Sequence, residues 1–275
     1  MHSKTRAKIV LITLAVVGVA GCSTFRTFEV KSQSAAGEIV VDGRAEDWRG
    51  AQFFIEEQQL LLGIKNDSRF LYIGIVAESR LTNMQILRQG LTVWFDPKGG
   101  KKKSWGIQYP LGLAQEETPF FPGPGEFEDE ELEWPKEAFK ELTIIRSKAV
   151  PPTKIDVGRA KEMGLEVSAT AEAGLFTYEL KVPLQAVEEN GLAVGASPGQ
   201  TIGLGFEAGE FKMRMPGGGM GRPPMGGSMG RGGGRMEGPA MGFGRPERLK
   251  IWAIVRLASG DRASDATTLH LTSFY

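Results

Sequence analysis

The fold class that this sequence predicts is all-β, an antiparallel, jelly-roll-like β-sandwich, and three observations predict it. Short runs rich in β-branched and aromatic residues recur between residues 38 and 258, turn-forming residues separate them, and no long helical period alternates with them. An apolar content of 41% over 275 residues is enough for the core of one large all-β domain.

The elements follow in chain order. Lys4, Arg6 and Lys8 open the sequence, an apolar stretch fills 9–20, and Val19-Ala20-Gly21-Cys22 closes it. This pattern predicts a secretory signal over 1–21. Its apolar core of about a dozen residues is shorter than the roughly 20 a spanning helix needs. Val-Ala-Gly-Cys resembles the bacterial lipobox, which implies that Cys22 receives a diacylglyceryl thioether and becomes the first residue of the mature lipoprotein. Cys22 is the only cysteine in the chain, so no disulfide framework is expected. Each buried CH₂ of an acyl chain adds about 0.8 kcal/mol of membrane affinity, which makes the lipid bilayer the expected partner. Ser23, where an Asp would signal inner-membrane retention, favours the outer membrane in a Gram-negative host, facing the periplasm or the surface.

Residues 22–37 are polar and without sustained period, and read as a lipidated tether; 38–275 read as the sandwich domain. Strands are expected at 38–41, 59–66, 70–78, 90–96, 104–109, 142–147, 164–171, 175–182, 201–207 and 249–257, with Asn66-Asp67-Ser68 turning the second into the third. Helical patterning is confined to 135–142 and 184–190. Residues 213–245, crowded with Gly, Met and Arg, lack the branched apolar side chains that offset ordering entropy, and predict a disordered insertion.

Charge excludes one function class. Removing the leader takes three basic residues from 33, leaving 30 against 33 acidic ones, a formal balance near −3. No global positive field recruits nucleic acid.

Glu38-Ile-Val-Val-Asp-Gly-Arg-Ala-Glu-Asp-Trp48 resembles the opening of family-nine carbohydrate-binding modules, where a strand leads into Asp-Gly, an acidic residue and a Trp. Phe70-Leu-Tyr-Ile-Gly-Ile-Val76, Leu91-Thr-Val-Trp-Phe-Asp-Pro-Lys-Gly99, Tyr178-Glu-Leu-Lys-Val-Pro-Leu184 and Gly199-Gln-Thr-Ile-Gly-Leu-Gly-Phe206 resemble later strands of that family in the same order. The resemblance covers about 38–258 and implies a β-sandwich that holds sugar between two tryptophans, often with calcium supporting the fold. The clamp tryptophans have no counterparts here: Thr82-Asn-Met-Gln-Ile-Leu-Arg88 occupies one position and the Gly/Met/Arg stretch the other.

Aromatic faces bind sugars because the C–H face of a pyranose stacks on an apolar π surface. Trp48 and Trp252 read as core or half-buried residues, and Trp94 alternates with Val93 and Phe95, so either face is open to it. Trp105, beside Lys101-Lys-Lys103, and Trp134, closing the acidic run Glu126-Phe-Glu-Asp-Glu-Glu-Leu-Glu133, are the favoured ligand candidates, with Trp94 third. The acidic run reads first as a solvated loop. Glu128, Asp129, Glu130 and Glu131 lack calcium-loop spacing.

Met215, Met220, Met225 and Met229 supply soft thioethers of the kind that select Cu(I), while Arg214, Arg222, Arg231, Arg235 and Arg245 suit anionic lipid or lipopolysaccharide. His270 is the mature chain's one histidine, and no Gly-x-Ser-x-Gly or phosphate-cradling loop occurs. That removes thiol–histidine pairs and histidine-rich zinc sites. The sequence therefore predicts a non-catalytic envelope lipoprotein that needs no cofactor and presents a module for a glycan or another envelope polymer. The alternatives are an assembly lipoprotein binding a protein partner and a methionine-rich copper-binding envelope protein.

Overall fold

The computed structural model describes residues 26–35, 37, 39–48, 50, 52–113, 134–146, 149–172, 174–186, 192–209 and 248–259. Cys22, the acidic run 126–133, the Gly/Met/Arg stretch and His270 lie outside them.

Two sheets form an all-β sandwich. The first has seven strands: β1 (Arg26–Lys31), β6 (Leu91–Asp96), β7 (Trp105–Gln108), β8 (Glu141–Ile145), β9 (Thr153–Asp156), β12 (Thr201–Ala208) and β13 (Lys250–Arg256), in the order β1-β13-β12-β6-β7-β8-β9. The second has six: β2 (Gln33–Ser34), β3 (Gln52–Ile55), β4 (Leu60–Asn66), β5 (Phe70–Ala77), β10 (Glu166–Glu172) and β11 (Leu175–Pro183), in the order β10-β11-β5-β4-β2 with β3 also on β4. Neighbours are antiparallel except β1 with β13 and β2 with β4.

Period-two alternation builds the core between the sheets. Leu91, Val93 and Phe95 of β6, with Ile202, Leu204 and Phe206 of β12, face inward from one sheet; Leu71, Ile73 and Ile75 of β5, with Phe176, Tyr178 and Leu180 of β11, face them from the other. Burying each such side chain stabilises the fold by about 1.5–3 kcal/mol.

The chain crosses between sheets twice in ways that matter for the surface. After β1 it passes through Ser32, whose hydroxyl bonds to the Asn66 side chain and accepts from the Ala258 N–H at 2.9 Å; Asn66 Oδ1 accepts from the same N–H at 2.9 Å. This buried polar knot locks the N-terminal segment to both sheets. After β5 the helix α1 (Arg80–Gln89) carries the chain over one end of the sandwich into β6. Ser79 caps it by accepting from Thr82 N–H, and Gly90, at φ 73°, ends it.

Several elements differ from the sequence reading. β1 and β2 fall within the stretch assigned to the tether: Phe28 and Val30 pack on the core while Thr27, Glu29 and Lys31 take the opposite positions, an alternation too short and too polar to stand out from sequence. Residues 39–41 are not a strand, and β3, β9 and the helix α2 (Val157–Glu162) were not anticipated. Helix α1 occupies residues read as a loop, because its buried positions Thr82, Asn83, Met84, Ile86 and Leu87 mix polar with apolar types and blur the helical stripe. Residues 135–142 form only a one-turn 3₁₀ helix (Lys136–Phe139) before β8, and 184–186 are not helical; 187–190 lie outside the described residues.

Candidate functional site

Each sheet carries, on the face turned away from the core, a tryptophan lying flat over strand glycines and bonded to a buried glutamate. On the six-stranded sheet, Gly63 of β4 and Gly74 of β5 are register partners, and a Cβ on either would collide with the Trp48 ring. Trp48 Nε1–H donates to Glu179 Oε1 at 2.8 Å. The N–H groups of Asp42 and Gly43 donate to Glu179 Oε2 at 2.8 and 2.6 Å. Gly43 sits at φ 86°, and a Cβ there would meet Thr170 at 2.7 Å, so the Asp-Gly turn requires glycine on both counts.

Trp48 is 1% exposed and Glu179 0%. Burial pushes the Glu179 carboxyl above its ordinary value in spite of the donors from Trp48, Gly43 and Asp42. The Asp-Gly, Trp and Tyr-Glu segments that carry the sequence resemblance thus form a structural clasp.

The seven-stranded sheet repeats the device at its outer face. Thr27, Trp252, Gly205, Trp94 and Gly106 stand in one register row across five strands. A Cβ on Gly205 would lie 2.8 Å from the Trp252 ring, and one on Gly106 2.7 Å from the Trp94 ring, so each indole rests on a neighbouring strand's glycine. Trp94 Nε1–H donates to Glu207 Oε2 at 3.0 Å. Lys103 bonds to the same oxygen, while Arg248 and Lys250 reach Glu207 Oε1 at 3.2 and 3.5 Å. The Lys103 ammonium stands 4.8 Å from the Trp94 ring centroid, a cation–π distance. Trp94 is half-buried, whereas Trp252 is buried.

Burial pushes the Glu207 carboxyl upward, but the hydrogen bond and charge of Lys103, with the charges of Arg248 and Lys250, outweigh it and hold the group below its ordinary value. A depressed folded value means that ionised Glu207 stabilises the fold above the ordinary carboxylate range and loses that contribution as pH falls through its folded value. The stability deficit of Glu207→Gln relative to wild type is therefore expected to be full near pH 7 and to shrink toward pH ~3, as read by denaturant midpoints at each pH. A deficit that does not change with pH would remove the charge from this account.

The turn between β6 and β7 brings Lys103 to this cluster. Asp96 accepts from Lys98 N–H at 3.1 Å and from Lys102 N–H at 2.8 Å, closing a loop over which Lys101, Lys102 and Lys103 are exposed. The Gly100 carbonyl rests directly on Gly203 of β12.

The structure separates the three tryptophans that sequence proposed as ligand contacts. Trp105 pairs with Phe95 and takes the core side of β7, stacking on that ring at 4.4 Å between centroids. Trp134 stacks on Phe176 at 5.0 Å and tilts against Phe139 at 5.8 Å, packing on the core from the edge. Only Trp94 of the three takes the outer face. Glu179 and Glu207, which hold the indoles, were not singled out from sequence; the signal was a carboxylate set inside an otherwise apolar strand, as in Phe176-Thr-Tyr-Glu-Leu180 and Gly203-Leu-Gly-Phe-Glu207. Among the described residues no group of three or more His, Cys, Asp or Glu could hold a metal ion, and no helix is long and apolar enough to cross a membrane.

No family model matches the chain, and neither does any curated protein. Among solved structures it is similar to a carbohydrate binding module family 9 from Caldicellulosiruptor kristjanssonii in complex with glucose, at 10% identity over 68% of this chain and 80% of that one, with a TM-score of 0.35. The same module in complex with cellotriose gives 10% identity, 68% and 78% coverage and a TM-score of 0.33. A protein from Bacteroides uniformis ATCC 8492 gives 9% identity over 85% of this chain and 100% of that one, with a TM-score of 0.37.

Proposed function

We propose that this chain is an exported, lipid-anchored, non-catalytic binding module that takes a glycan on the outer face of its seven-stranded sheet, with Trp94 as the stacking surface. One observation carries the reading: a half-buried indole is held flat and rigid by Gly106 beneath it and Glu207 at its edge, with the ammonium of Lys103 beside it. Sugar recognition asks for a prearranged aromatic plane flanked by a few convergent polar groups. A side chain already fixed by its neighbours loses little conformational freedom on binding.

Lys103, whose side chain is 42% exposed, is the group a sugar ring displaces from the indole face; its ammonium then serves hydroxyl or carboxylate oxygens of the ligand. Thr92 and Gln108 are register partners on the same face as Trp94; Thr92 is buried and the Gln108 amide donates to the Gln89 carbonyl at 3.0 Å, so both support the face from beneath. The lipobox at Cys22 supports placement in the envelope, where such polymers are found.

A glycan array probed with the mature domain tests this reading. Binding is expected to one polysaccharide class and to fall at least about tenfold in Trp94→Ala, which corresponds to about 1.4 kcal/mol. Trp105→Ala and Trp134→Ala, whose indoles face the core, are expected to lower the unfolding midpoint instead. Silence on every glycan, with a protein partner retained on the same surface, would favour the assembly role over the glycan role.

A further inference from the structure

We infer that the end of the sandwich crossed by α1 lies against the bilayer, with the outward side of α1 around Leu81 as the membrane-apposed surface. This rests on the proposed lipid anchor at Cys22. It adds a fixed orientation that the anchor alone does not supply.

Reach imposes it. Strand β1 begins at Arg26, only four residues after Cys22, and a fully extended chain of that length spans at most about 14 Å. β1 cannot lend more chain without unpairing: Arg26 to Lys31 are in parallel register with Ile251 to Arg256, and the Ser32 knot with Asn66 and Ala258 closes the segment behind it. The start of β1 therefore stays near the headgroups. The start of β13, the end of β12 and the start of β6 lie at the same end, by their registers.

Helix α1 crosses that end. Its Gln85 accepts from Leu249 N–H at 2.9 Å just before β13, and a Cβ on Gly209 just after β12 would meet Gln89 at 3.0 Å. Leu81, 57% exposed, is one of the few large apolar side chains open to solvent among the described residues, and it belongs to this helix. Reach rather than charge sets the orientation, since the exposed Glu56, Glu57 and Glu78 also stand at this end.

The chain also leaves the sandwich at Gly209 and returns at Arg248 here. The β6–β7 turn with Lys101 is at the opposite end, about 20 Å away along strands of six to eight residues.

The test uses the full lipidated chain in phospholipid vesicles that contain a nickel-chelating headgroup lipid, which quenches nearby fluorophores. Leu81→Cys and Lys101→Cys each take one thiol-reactive dye, because the thioether at Cys22 leaves no other thiol. Quenching at position 81 is expected to exceed that at position 101 several-fold, and inserting about a dozen Gly/Ser residues after Ser23 is expected to level the two. Equal quenching in the chain of natural tether length, with the protein floating with the vesicles, overturns the orientation alone. A protein that fails to float and shows a dye-reactive Cys22 overturns the anchor reading itself, so the two failures are distinguishable.

Discussion

Glu179→Ala is expected to destabilise the fold by on the order of 3–5 kcal/mol, read as a lowered denaturant midpoint with an unchanged slope. The carboxylate accepts from three donors at once, Asp42 N–H, Gly43 N–H and Trp48 Nε1–H, at 2.6–2.8 Å in a site that is 0% exposed. Alanine leaves all three without that acceptor; the two buried donors, Gly43 N–H and Trp48 Nε1–H, each cost about 1–3 kcal/mol, while the Asp42 N–H is only part-buried. Trp48→Ala removes the other half of the clasp and belongs to the same range of about 3–5 kcal/mol, as large-to-small changes at buried aromatics do. Because Trp48 and Glu179 are direct hydrogen-bond partners, their effects are coupled, and the double variant is expected to lose less than the sum of the two single losses. Glu179→Gln keeps one acceptor oxygen and is expected to fall between wild type and alanine. If Glu179→Ala unfolds at the wild-type midpoint, the clasp is not what joins the Asp42-Gly43 turn to the sheet.

Gly203→Ala is the second large effect expected, at about 2–3 kcal/mol of destabilisation, with loss of the proposed glycan binding in the same variant. The added methyl would occupy the space of the Gly100 carbonyl oxygen. Neither side can yield easily: β12 is paired on both edges, to β13 and β6, and the turn that holds Gly100 is tied by Asp96 to the Lys98 and Lys102 N–H groups. The turn must shift, and with it Lys103, which joins Glu207 beside Trp94. Gly37→Ala provides the control, since nothing lies within 4 Å of its added Cβ, and it is expected to stay within about 0.5 kcal/mol of wild type. Normal stability and binding in Gly203→Ala would show that the turn is free to move without consequence.

The strands that sequence patterning located best are the ones with strong β-branched and aromatic alternation. β4 to β7 and β10 to β13 fall within a residue or two of their expected spans. Those it missed are short or at sheet edges: β1, β2, β3 and β9 bury at most one side in few residues, so their alternation is weak. Helix α1 had its stop and start in the sequence, Ser79 and Gly90, but its buried face includes Thr82 and Asn83, held by bonds to Gln58 and Gly174 backbone oxygens. Tertiary partners make those polar residues suitable for burial, and no local pattern records them.

The candidate site shows the same division. Alternation in Val93-Trp94-Phe95 establishes that Trp94 points opposite to its neighbours, but a strand's two faces are equivalent until a second sheet covers one of them. Trp105 appealed as a ligand contact because lysines precede it, yet its pairing with Phe95 places it on the covered side.

The sequence alone determined the all-β class and most of the strands, because side-chain alternation and turn chemistry are local properties of the chain. Only the tertiary structure decided which indoles are buried inside, which lie on strand glycines outside, and which glutamates hold Trp48 and Trp94. Trp48 and Glu179 are 131 residues apart, and Trp94 and Glu207 are 113 apart. Contacts of that range are set by strand order and register between distant segments, which depend on the packing of the two whole sheets rather than on any stretch of residues read by itself.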